Sequence, residues 1–97
     1  MEVMNKVSKI LTAHPQGKRG VNIDASKYDC IRIALLESLQ GKELNHPELT
    51  KAVEARVPNS FAGSVAWYAE VVKLDLEAKK EIVRTSHRPA RYKIFQH

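Results

Sequence analysis

The residues of this chain best suited to hold a metal or move a proton are His14, His46, His87, His97 and the single cysteine, Cys30. Structural zinc sites need ligand pairs two to five residues apart, and no two of these five stand that close. Nucleophilic catalysis would need an activated Ser or Cys beside a histidine and a carboxylate. The ingredients are present, as in most chains, but no nucleophile motif surrounds them. The stretch "GKRG" at 17–20 invites a phosphate-loop reading, yet it lacks the earlier glycine and the following Ser or Thr. It reads as a solvated turn in which Lys18 and Arg19 can touch a phosphate backbone. The expectation is a protein that is not an enzyme and carries no metal and no cofactor.

Charge offers a better signal than chemistry. The net charge is +5, but it is uneven along the chain. Residues 1–27 carry five basic and two acidic groups, residues 28–81 seven basic and nine acidic, and residues 82–97 four basic and no acidic ones. The two ends are therefore the parts able to meet an anionic polymer. Within the last segment Arg84, Arg88, Arg91 and Lys93 crowd a short stretch of strand-like sequence. Period-2 alternation sets Arg84 apart from Val83, and Arg91 and Lys93 apart from Tyr92 and Ile94, so these charged groups can share a solvent face. Four cations with no local counter-charge exceed what protection of a sheet edge requires, which favours contact with phosphates.

Three helical patterns precede this stretch. Tyr28, Ile31, Leu35 and Leu39 share one face from about Ser26 to Leu39, with Gly41 as the stop. Asn45 and Glu48 are spaced as a capping box ahead of the stripe Leu49, Ala52, Val53 and Val57, which ends at Pro58. A third helix is predicted from "NSFAGS" to about Lys79, with Asn59, Ser60 and Ser64 at its positively polarised start. This helix has two apolar rows. Val65, Tyr68, Val72 and Leu76 form one, and Trp67, Val71, Leu74 and Ala78 the other. Its polar strip, Glu70, Lys73 and Glu77 with Asp75 beside it, would repel a phosphate groove, so this helix's nucleic-acid contacts should be confined to its N-terminal end, with Asn59, Ser60 and Ser64. Trp67 is able to stack on an unpaired base, but its row predicts burial. Protein should cover that row. The cover is either the N-terminal segment, where Val3, Val7 and Ile10 can line a short helix and, with Leu11, need an apolar partner, or a second subunit, and a two-fold dimer is preferred. Beyond the third helix, "EIVRT" and "RYKIF" read as two strands around "SHRPA", and "VNI" at 21–23 as a small strand.

Helix, helix, longer helix and basic hairpin is the plan of a winged helix-turn-helix domain: mainly α with a small β-hairpin, a three-helix core plus a wing. The stretch "VVKLDLEAKKEIVRTSHRPARYKI" resembles the usual ending of that fold, with Leu76 and Glu77 closing the third helix, Ile82 and Val83 opening the wing and Tyr92 returning in its second strand. The phrases "GSVAWY" and "VKLDLEA" further make the chain, from about Ile10 onward, resemble a family of small bacterial proteins of unknown function. That resemblance implies a winged-helix fold and carries no activity with it. One departure stands out, because winged helices commonly have glycine where the third helix ends and this chain has Lys80. A left-handed backbone there would cost about 1 kcal/mol relative to glycine.

These readings divide the chain into an N-terminal extension, 1–25, packed on a winged-helix domain, 26–97. The expected partner is double-stranded DNA, met by Lys18, Arg19, Ser60, Ser64, Arg84, Arg88, Arg91 and Lys93, as in a small transcriptional regulator. The alternative is a protein-interaction module on the same scaffold, using Trp67, Val71 and Leu74. One cysteine, no secretory signal and no apolar run of the roughly 20 residues a bilayer demands lead us to expect a cytoplasmic protein without membrane contact.

Overall fold

The computed structural model of the 97-residue chain describes residues 8–95. It is a mixed α/β body of three helices and two small antiparallel sheets. In chain order these are β1 (Lys9–Leu11), β2 (Asn22–Asp24), α1 (Ala25–Ser38), β3 (Leu44–Asn45), α2 (His46–Arg56), α3 (Val65–Ala78), β4 (Ile82–Arg84) and β5 (Arg91–Ile94).

Local chemistry explains where the helices begin. The Asp24 carboxylate accepts from Ser26 N at 3.0 Å and caps α1. At α2 the capping box closes in both directions, with Asn45 Oδ1 accepting from Glu48 N and Glu48 Oε1 accepting from Asn45 N, each at 2.9 Å. Ser64 Oγ accepts from Trp67 N at 3.1 Å, so α3 starts at Val65 rather than in "NSFAGS". Asn59 and Ser60 lie outside the helix, in an exposed turn. They do not share the helix start assigned to them from sequence.

The end of α3 follows from hydrogen bonds that overrun the last turn. Lys80 N donates to Glu77 O at 3.1 Å and Glu81 N to Leu76 O at 2.9 Å, the paired bonds of a Schellman motif. That closure needs a left-handed residue, and Lys80 supplies it with φ of 63°. The lysine therefore sits where glycine would be easiest.

The core is built where the three helices meet the larger sheet. Tyr28, Ile31, Leu35 and Leu39 of the first helical segment pack with Leu49 and Val53 of α2, Val72 and Leu76 of α3, and Ile82 and Tyr92 of the sheet. Cys30 is half-buried against this cluster. The sheet order is β3-β5-β4, so β5 runs between the strand before α2 and the strand after α3. Sequence pattern gave no sign of β3, which is two residues long.

The N-terminal segment departs from expectation. Ile10 lies in β1, opposite Ile23 of β2, in a two-stranded ribbon rather than in a helix. Val3 and Val7, the other members of the expected helix, lie outside the described residues. Beyond β1 the ribbon continues through Thr12, whose N–H donates to Val21 O at 2.9 Å and whose hydroxyl accepts from Val21 N at 3.0 Å. Gly20 permits this approach, since a Cβ there would stand 1.7 Å from Thr12 O.

Candidate functional site

The basic hairpin forms where the alternation placed it, but its register divides the cations. Val83 stands opposite Lys93, and Arg84 opposite Tyr92. Directly opposed residues in an antiparallel pair share a face. Arg84 therefore lies on the side of buried Tyr92, while Arg91 and Lys93 lie on the other side. Arg84, Arg91 and Lys93 do not share the single solvent face that counting along each strand suggested. Arg84, Arg88, Arg91 and Lys93 are nonetheless all exposed, and Thr85 closes the loop between the strands, its N–H donating to Arg91 O at 2.8 Å and its hydroxyl accepting from Arg91 N at 3.0 Å.

A counter-charge from a distant part of the chain also reaches the hairpin. Glu43, just before β3, has its two carboxylate oxygens 3.9 Å from Arg91 Nη1 and from Lys93 Nζ. The expectation of unaccompanied cations is corrected to this extent, because β3 pairs with β5 and brings Glu43 alongside. At that length the pairs are loose and solvated, worth about 0–1 kcal/mol each. On the opposite side Arg84 faces Glu77, whose carboxyl is pushed above its ordinary range by burial against the pull of Lys73 and Arg84.

Residues 12–21 form a loop that lies along the outward side of α3. Ala13, Gly20 and Val21 from the loop and Val71 and Leu74 from the helix line one shallow hollow, with Arg19 at its edge. A second hollow joins Pro15 of the loop to Glu77, Lys80 and Arg84. The N-terminal segment is thus the cover for part of the second apolar row; its Pro15 shares a hollow with Arg84, and Lys18 and Arg19 of the same loop are exposed. Trp67 is not covered. It is 47% exposed, contrary to the burial its row predicted, because the loop stops at Val71 and leaves the first turn of α3 bare. Its indole meets the Tyr68 ring edge to face at 4.9 Å between centroids.

Two charged residues of the supposed polar strip turn out to be interior. Asp75 is fully buried. Its Oδ1 accepts from Ala13 N at 2.8 Å, and its Oδ2 accepts from the Tyr28 hydroxyl and, at 2.9 Å, from Lys79 Nζ. One carboxylate therefore fastens the loop, α1 and α3 together. The hydrogen bond to Asp75 raises the pKa of Lys79; burial, followed by the same carboxylate, raises that of Tyr28. Lys73 is 3% exposed, its ammonium 2.8 Å from Glu70 Oε1, 3.1 Å from His46 Nδ1 and 4.1 Å from the centroid of the Tyr92 ring. It joins α2, α3 and β5. Glu70 Oε1 is itself out of water, and the Lys73 ammonium is its counter-charge. The only sequence traces of these clusters are the i,i+4 spacing of Asp75 and Lys79 and the i,i+3 spacing of Glu70 and Lys73.

The outward side of α3 is left with Trp67, Glu70, Val71, Leu74 and Glu77, and no lysine or arginine of the helix joins them. The hydroxyl of Ser64 is exposed but already engaged as the cap. Electrostatically, then, the hairpin and the loop are suited to anions, and the outward side of α3 is not.

A family model matches residues 9–92, from the first residue of β1 through all three helices and into β5. The chain belongs to this family of unknown function (DUF6958). No curated protein and no solved structure matches it. Among the described residues of this family member, no helix is long and apolar enough to cross a membrane.

Proposed function

We propose that this member of the family is a winged-helix domain that binds duplex DNA without catalysis, as a small transcriptional regulator does. The strand order supports the fold reading: a strand between the first two helices joins the hairpin after the third, in the order β3-β5-β4. In this reading β4–β5 is the wing and α3 the helix beside the groove.

The observation that carries the proposal is the hairpin, whose Arg84, Arg88, Arg91 and Lys93 all reach solvent with only the loose Glu43 pairs and Glu77 nearby. Lys18 and Arg19 add two exposed cations from the loop, and Ser64 offers an uncharged contact at the start of α3. The middle of α3 contributes little, because Glu70 and Glu77 repel phosphates and the loop overlies Val71 and Leu74. Binding of this kind is driven by counterion release and tolerates many sequences.

The test is titration of a random duplex with a protein in which Arg84, Arg88 and Arg91 are alanine. If each arginine neutralises one phosphate, the slope of log K against log salt becomes shallower by about 2.7. Unaltered affinity and slope would remove the wing from the mechanism. A protein-contact role for α3 is the second reading, and the exposure of Trp67 beside Glu70 is the observation that favours it.

A further inference from the structure

We infer that the hollow between Pro15, the end of α3 and β4 is a binding site for a small zwitterion, an α-amino acid with an apolar side chain. Glu77 and Lys80 line it from the end of α3, Arg84 from β4, and Pro15, Ile82 and Phe95 complete a mostly apolar wall. Its volume is about 230 Å³ and it opens to solvent. Sites for drug-sized ligands run to roughly 300–1,000 Å³, so the occupant is a smaller molecule.

Charge selects the class of ligand. One carboxylate and two cations line this hollow, yet among the described residues no hydrogen bond or ion pair reaches the side chain of Glu77, Lys80 or Arg84. Glu77 is half-buried, and burial holds its carboxyl above the ordinary range, so the water it has lost is not fully replaced. Of the other charges that act on it, Lys73 and Glu70 are already joined to each other at 2.8 Å. A simple anion entering the hollow is repelled by Glu77, and a simple amine by Lys80 and Arg84. An α-amino acid carries both charges one carbon apart. Its ammonium can donate to Glu77 while its carboxylate lies towards Arg84 and Lys80, and an apolar side chain covers the wall. The inference does not rest on DNA binding, and it is tested without DNA.

Amide NMR of the full chain tests it by titration with L-leucine, with isocaproate, which lacks the amine, and with isoamylamine, which lacks the carboxylate. Leucine should shift the amides of residues 77–84 and 95 saturably, with a Kd of about 1 mM for a ligand of this size in an open site. Each partial ligand, and glycine, should bind at least about threefold more weakly. Glu77→Gln should weaken leucine by a similar factor and tighten isocaproate, because the repulsion of its carboxylate is gone. Arg84→Ala should weaken leucine and isocaproate but not isoamylamine. An amide spectrum unchanged away from the hollow shows that each variant is folded. The inference is overturned if leucine shifts nothing up to about 20 mM, or if the shifts lie elsewhere on the chain. It is overturned equally if either partial ligand or glycine binds as tightly as leucine, or if Glu77→Gln binds leucine like the wild type.

Discussion

Replacing Asp75 by alanine should remove a large part of this protein's stability although the residue touches no solvent-facing candidate site. The carboxylate receives Ala13 N, the Tyr28 hydroxyl and Lys79 Nζ. Alanine leaves the Tyr28 hydroxyl inside the protein without its acceptor, at a cost of about 1–3 kcal/mol. Ala13 N loses its partner in a partly solvated position, at about 1 kcal/mol. Lys79, 45% exposed at its side chain, regains water and adds about 0–1 kcal/mol. The loss of about 2–5 kcal/mol compares with a total of roughly 5–15 kcal/mol for a chain of this size. Urea unfolding followed by far-UV circular dichroism reads it directly, and Tyr28→Phe in the same series should cost about 1.5–2 kcal/mol. In the double variant the two losses should fall short of additive, since they share one contact.

The pH dependence gives a second reading of the same carboxylate. The folded pKa values of Tyr28 and Lys79 are both raised, so the stability each contributes is complete below its unfolded pKa and is lost as pH rises through the folded value. Wild-type stability should therefore decline above about pH 10. The decline should be shallower in Asp75→Ala, where burial still raises Tyr28 but is opposed by Lys79 without the carboxylate's contribution. An alanine variant within about 1 kcal/mol of wild type at neutral pH, with an unchanged alkaline limb, would refute the clamp.

Three further outcomes follow from single positions. Lys80→Gly relieves a left-handed residue at φ of 63° and should gain up to about 1 kcal/mol, less the entropy that glycine adds to the unfolded chain; a lower melting temperature would contradict the Schellman assignment. Gly20→Ala places a Cβ 1.7 Å from Thr12 O, so the loop must move off α3, and a loss of about 2–4 kcal/mol with faster proteolysis in residues 12–21 is the expected readout. For Glu77 the folded pKa is raised, chiefly by burial, so its contribution is complete below the unfolded pKa and is lost as pH rises through the folded value. Glu77→Gln should then be more stable than wild type at pH 7, with the gap closing below the ordinary carboxylate range in a thermal melt series. Equal melting at both pH values would show that Arg84 and Lys73 already offset the burial.

Much of the fold was legible because its causes are local. The Asn45 and Glu48 pair announces α2 three residues at a time, the apolar spacing of Tyr28, Ile31, Leu35 and Leu39 announces α1, and β-branched and aromatic runs around "SHRPA" announce the hairpin. Even the left-handed turn at Lys80 follows from where α3 has to stop. The candidate site was legible in composition but not in arrangement. Exposure of Arg84, Arg91 and Lys93 follows from alternation and that of Arg88 from its place in the loop, whereas the division of the strand cations between two faces depends on Arg84 pairing with Tyr92, a register that neither strand encodes alone.

What the sequence by itself determined is the set of helices, the capping box of α2 and the presence of a basic hairpin, all of which rest on contacts within one or two turns of chain. Only the tertiary structure decided that Asp75 and Lys73 go inside, that Glu43 reaches the hairpin, and that Trp67 stays in water while Val71 and Leu74 are covered. The physical reason is separation along the chain. Asp75 is buried because Tyr28 and Ala13, 47 and 62 residues away, supply donors to it, and a charged residue on an amphipathic helix carries no local mark of a partner that far off.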